Sequence, residues 1–196
     1  MKQCRFGFFV LLVFLMACEK KESSSSSTFK EGSFEKGEKI IEAKKDQGDT
    51  LAMAYENLIK FLPANVAGYI PKDNGTGKTD HSNGSSWSMA EKIYVNGNKK
   101  IKITLADYNG AYGLYAGATA IFSLDKTENK EERSLAITLK NGKWKAWESY
   151  KKVSREAFLI TGINDRFLLT LEAEDQIDTE LIKSVAENLD LDKLIN

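Results

Sequence analysis

The sequence predicts an α+β fold: one domain with a largely antiparallel sheet of about six strands and helices flanking it. Three observations predict it. Apolar residues from Leu51 to Leu62 recur with helical spacing, three pairs of short apolar runs are joined by tight asparagine-containing turns, and a second strong helical pattern closes the chain. The 179 residues that follow the first seventeen are enough to bury a core as a single domain.

The elements follow in order. Leu51, Ala54, Tyr55, Leu58, Ile59 and Leu62 share one helical face, so a helix is expected over Asp49 to Leu62. Asp49 or Thr50 would cap it, and Pro63 would end it. A turn-rich surface loop is expected from Pro71 to Ser86. Trp87, Met89, Ile93 and Val95 share one strand parity, and Ile101, Ile103 and Leu105 share another, with Asn96-Gly97-Asn98 between them. That is a hairpin, with the bulky set on each strand expected to face inward. Ala111 to Phe122 reads as a helix burying Leu114, Ala118, Ile121 and Phe122. Its Gly113 and Gly117 would allow close packing on the sheet. Leu135-Ile137-Leu139 and Trp144-Ala146 form a second hairpin about Asn141-Gly142, and Ala157 to Gly162 and Arg166 to Leu171 form a third through Asn164-Asp165. Thr179 to Leu189 is the last helix, with Leu181, Ile182, Val185 and Leu189 inward.

The N-terminus carries an address. Lys2 and Arg5 precede an apolar run from Phe6 to Met16, and Ala17 precedes Cys18. This is the three-part pattern of a secretory signal peptide over residues 1–17. The run is too short to span a hydrocarbon layer, which takes ~20 helical residues. The Leu15-Met16-Ala17-Cys18 end resembles the lipobox of bacterial lipoproteins. That resemblance implies that Cys18 becomes the acylated N-terminus and holds the protein on a membrane. Cys4 would leave with the signal peptide, so the domain itself has no thiol to pair. Residues 18–34, with five serines from Ser23 to Ser27, have little to bury and read as a solvated tether. Residues 35–48 form a charged lead-in, helical or more tether. The charged residues after Cys18 resemble sorting signals of Gram-negative lipoproteins, which implies the cell envelope, the outer membrane before the inner.

Phe61-Leu62-Pro63, Gly68-Tyr69 and Ile101-Lys102-Ile103-Thr104-Leu105-Ala106-Asp107-Tyr108 resemble segments of envelope lipoproteins, and the order of elements is similar to the PsbP-like fold. The resemblance covers residues 50 to 194 and implies a central antiparallel sheet between helices. It implies no particular activity, because this fold serves as an accessory or assembly module.

The chemistry is bounded by residue inventory. There are 28 basic and 28 acidic residues, and removing Lys2 and Arg5 leaves 26 against 28, a formal net charge of −2. No basic stripe supports a nucleic-acid partner. Gly75-Thr76-Gly77-Lys78-Thr79 invites a phosphate-loop reading, but Lys72 stands where the motif needs its first glycine, and a strand pattern follows instead of a helix. His81 is the one histidine, in a loop with no evident means of ordering it. Cys-His catalysis and the common zinc sites are therefore excluded, and no cofactor motif is present. Asp107, Glu148 and Glu172 lie on separate strands, where two acids ~5–9 Å apart would suit glycoside hydrolysis. The alternative for Asp107 is a cap on the turn Tyr108-Asn109-Gly110. Trp144, Trp147 and Tyr150 crowd one strand and suggest a surface for a glycan or protein partner. A regular strand would send the two tryptophans to opposite faces. The leading expectation is a non-catalytic, membrane-anchored binding or accessory module at the cell envelope. A small carboxylate-dependent, glycan-directed hydrolase is the alternative.

Overall fold

The computed structural model describes residues 48–194 apart from 67, 83 and 84, together with 39, 40, 42, 43 and 46. The signal segment, Cys18 and the serine tether lie outside the described residues. In chain order the elements begin with α1 (Tyr55–Leu58), which runs into a 3-10 turn (Ile59–Phe61), then β1 (Ile70–Pro71), β2 (Thr76–Asp80), β3 (Trp87–Asn96) and β4 (Lys99–Asp107). Next come α2 (Tyr112–Thr119) with a 3-10 turn (Ala120–Ser123), β5 (Thr127–Glu128), β6 (Glu132–Leu139), β7 (Trp144–Lys151), β8 (Glu156–Ile163), β9 (Phe167–Ala173) and α3 (Glu180–Asn188).

All nine strands form one antiparallel sheet in the order β1-β3-β4-β9-β8-β7-β6-β5, with β2 pairing β3 beside β1. The three expected hairpins are present, and their turns use the left-handed region the sequence called for: Gly97 has φ +57°, Asn141 +55°, Asn164 +54° and Asp165 +48°. β9 joins the first hairpin to the third, pairing Leu169 with both Leu105 and Thr161. One face of the sheet buries Ile101, Ile103, Leu159, Leu169 and Leu171 beneath Leu58 of α1 and Ile182 and Ala186 of α3. The other buries Ala106, Trp147, Ile160 and Leu168 beneath Tyr112 and Tyr115 of α2, with Ile40 packed against that cluster. Each such aliphatic side chain contributes ~1.5–3 kcal/mol. Both buried clusters are drawn from residues 58–191, so a chain beginning at Glu19 keeps every one of their members. Among the described residues no helix is long and apolar enough to cross a membrane.

Four expectations are corrected. The sheet has nine strands, because the expected loop from Pro71 to Ser86 contributes β2, with five residues in register against β3. Its Gly75 and Gly77 serve packing: a Cβ on Gly77 would lie 2.4 Å from both the Met89 carbonyl oxygen and the Tyr55 ring, and one on Gly75 2.7 Å from Ile59. In β3 the deep face carries Ser88, Ala90 and Tyr94, and the bulkier Met89, Ile93 and Val95 set is only half-buried. The first helix is four residues long, because side chains capture the backbone of residues 52–55 before a helix begins. In α2, Leu114 is exposed, Tyr112 and Tyr115 are buried, and Gly113 and Gly117 face open space. The close approach is made from the sheet, where a Cβ on Gly162 would sit 2.4 Å from the Tyr115 hydroxyl.

Candidate functional site: a cleft hung from a buried clasp

Asp107 ends β4 fully buried, and its carboxylate is saturated. Oδ1 accepts from Arg166 Nε at 2.8 Å and from the Asn109 amide at 3.0 Å. Oδ2 accepts from Arg166 Nη2 at 2.7 Å and from the Met53 amide at 2.8 Å. Arg166 sits beside the Asn164-Asp165 turn, and its Nη1 reaches Asp49 at 3.1 Å. Burial works against the guanidinium charge, but the Asp107 and Asp49 carboxylates outweigh it and hold the pKa of Arg166 above its ordinary value.

The same end of the sheet holds residues 49–54 as a strap that leads into α1 at Tyr55. The Ala52 amide donates to Ser86 Oγ at 2.6 Å, the Tyr55 amide to Thr79 Oγ1 at 2.9 Å, and Ser88 Oγ donates to the Met53 carbonyl. Asn109 Nδ2 donates to Asp49 Oδ1 at 2.7 Å and to the Leu51 carbonyl at 3.0 Å. These side chains give the strap the partners that a helix or strand would supply. The His81 Nδ1 lies 2.7 Å from Ser86 Oγ. Ser86 already accepts a backbone amide, and the neighbouring Asp80 carboxylate holds Ser82 and Lys78, so the contact does not build a triad.

Glu148 is the second buried acid. Arg133 Nη2 lies 2.7 Å away, Thr179 Oγ1 2.8 Å and Lys183 Nζ 3.4 Å, which fastens α3 to β7. Asp107 and Glu148 share a face, but the register separates them by three strand spacings and four residues, ~20 Å. Glu172 is on the opposite face, 2.6 Å from Lys102. The three carboxylates therefore do not converge, and the spacing needed for a glycosidase pair is not met between them.

The aromatic surface is also corrected. Trp144 and Trp147 are 3% and 5% exposed and lie in the two opposite cores, as pleating requires. Tyr150 packs on the Trp144 side, and its hydroxyl donates to the Gln176 carbonyl at 3.0 Å. The three side chains hold the sheet to its layers and present no common platform.

An open concavity among the described residues lies elsewhere. A cleft of about 620 Å³ separates the α1–Pro63 segment from the C-terminal end of α3. Met53, Phe61, Leu62, Pro63, Ala64 and Leu189 supply its apolar lining, with Asn57, Lys60, Asn188, Asp190 and Lys193 beside them. Met53 belongs to both features: its backbone is held by Asp107 and Ser88, and its side chain lines the cleft. A smaller groove of about 410 Å³ on the other face is lined by Lys102–Glu172 and Lys151–Glu156 pairs around Phe158. The expected cap of Asp107 on the turn at Asn109 is present, but sequence reasoning assigned no role to Arg166 or Ser86. The signal available was an arginine opening an otherwise apolar strand, opposite an aspartate that ends another.

No match to this chain is found among known family models, curated proteins or solved structures. Its chemistry must be read from its own geometry.

Proposed function

We propose that this chain is a bacterial envelope lipoprotein, acylated at Cys18 and carried on an outer-membrane surface, whose PsbP-like domain acts as a binding or accessory module. One observation supports the binding reading over the hydrolytic one. The buried acids are each neutralised by structural partners and stand ~20 Å apart, whereas the concave, apolar-lined surface is open. The signal-like segment ending at Cys18 supports the anchor. Several acyl chains on one cysteine give a stable attachment, since each buried methylene contributes ~0.8 kcal/mol.

The test of the anchor is Cys18→Ala in the producing cell. Incorporation of labelled fatty acid and retention in the membrane fraction should both be lost. Unchanged labelling would overturn the assignment. For the module reading, proximity crosslinking from the anchored wild-type protein should capture a defined partner, and capture of none would overturn it.

A further inference from the structure

We propose that the cleft between the α1–Pro63 segment and the end of α3 binds a single-chain monoanion of the fatty-acid class: an apolar chain with one carboxylate head. The inference rests on the binding-module reading above and gives that module its ligand chemistry.

The volume of about 620 Å³ lies within the ~300–1,000 Å³ of pockets that take small ligands. The lining of Phe61, Leu62, Pro63 and Leu189 offers apolar contact along its length. Two carbonyls of the wall are already engaged. Pro63 has no N–H, and its carbonyl accepts from the Tyr94 hydroxyl at 2.7 Å; the Leu189 carbonyl accepts from Lys140 Nζ at 3.0 Å. A hydrocarbon chain needs no main-chain partner from such a wall. The polar groups beside the lining then select the head. Lys193 is paired with Asp190 at 2.5 Å, while Lys60 Nζ donates to the neutral Asn57 Oδ1 at 2.8 Å. One ammonium is left uncompensated by a carboxylate among these groups, which suits a single negative charge. A phosphate dianion would bring a second negative charge that the one uncompensated ammonium does not match.

The test is a calorimetric titration of submicellar decanoate, decanol and acetate into the chain beginning at Glu19. Decanoate should saturate a single site, decanol should bind about 5- to 10-fold more weakly, and acetate should not bind. Lys60→Gln should weaken decanoate by the same factor and leave decanol unchanged, since a charge-assisted contact is lost and the apolar contact kept. Ala64→Trp, at an exposed position on the cleft wall, should remove binding of both. Should that variant melt lower than the parent, the Lys60→Gln comparison of acid with alcohol decides alone. No saturable binding, equal affinity for acid and alcohol, or decanoate binding untouched by Lys60→Gln would each overturn the proposal. Partner capture by the anchored protein is read in a separate experiment, so failure of the module reading and failure of the ligand assignment are distinguishable.

Discussion

Removing the Asp107 carboxylate should be the most damaging single change in this domain outside the apolar cores. Asp107→Ala deletes the acceptor of four hydrogen bonds, from Arg166 Nε and Nη2 and from the amides of Met53 and Asn109. Breaking a buried ion pair by removing one partner costs ~3–5 kcal/mol, because the remaining charge and donors stay desolvated. The Arg166 side chain is 18% exposed and keeps Asp49, which places the expected loss at the lower end, ~3–4 kcal/mol. For a domain of this size that is a fall in Tm of ~6–16 °C. Asp107→Asn should not rescue it. An amide has one acceptor oxygen, and its NH2 would face donors. The assays are thermal and denaturant unfolding of the chain from Glu19, with hydrogen exchange read at Met53, whose amide should lose protection first. Adding Arg166→Met to Asp107→Ala should cost little more, giving a coupling energy above ~1.5 kcal/mol in the double-mutant cycle. A Tm loss under ~2 °C, or additive effects of the two substitutions, would refute the clasp.

Gly162→Ala should lower stability by ~1–3 kcal/mol, because its Cβ would meet the Tyr115 hydroxyl at 2.4 Å. Tyr115→Phe should recover part of that loss in the same melt, and no recovery would mean that the strain lies elsewhere. Gly113→Ala and Gly117→Ala should do the opposite, each raising stability by ~0.5–1 kcal/mol, since both point into open space on a helix; a lower Tm would show that α2 packs by its glycine face. Burial raises the phenol pKa of Tyr94 and Tyr115 above the ordinary 10.0. The folded state therefore holds protons that the unfolded chain releases, so stability should be intact below pH 10 and fall as pH rises beyond it. Absorbance at the phenolate band during alkaline unfolding checks this, and ionisation of these two tyrosines well before the fold is lost would contradict it.

The sheet was legible in the sequence where turn chemistry and apolar runs of strand length agreed. Asn141-Gly142 and Asn164-Asp165 can adopt positive φ, and such runs flank both, so both hairpins formed in the expected places. β3 misled because both of its faces are partly covered. Tyr94 is fully buried on one side while Met89 packs under α2 on the other, so bulk alone does not report which face is deeper. β2 was hidden by its composition: Thr76-Gly77-Lys78-Thr79-Asp80 has no large apolar residue. It is a strand because β3 offers a ladder and because glycine lets Tyr55 lie against it. The helical period from Leu51 to Leu62 was real but overextended. Ala52, Met53 and Tyr55 find side-chain partners on distant strands, and those capture amides that an isolated peptide would have given to a helix.

The clasp and the cleft were the least legible because they depend on residues far apart in the chain. Asp107, Arg166 and Asp49 are separated by 59 and 117 positions along the contacts they make. No local period marks such a site. Its physical consequence is nonetheless specific. The strap from Asp49 to Ala54 brings the chain from the face where Ile40 packs to the face where α1 lies, and Met53 within it lines the cleft. A side chain whose backbone is held at both N–H and C=O has little freedom to move away from a ligand. Rigid placement of an apolar wall lowers the ordering cost of binding. The buried ion pair thus acts on the cleft by fixing its wall. Asp107→Asn should accordingly weaken decanoate binding even at temperatures where the variant remains folded. If Asp107→Asn leaves decanoate affinity unchanged in the folded variant, the clasp serves stability alone and the cleft wall is held by its own packing.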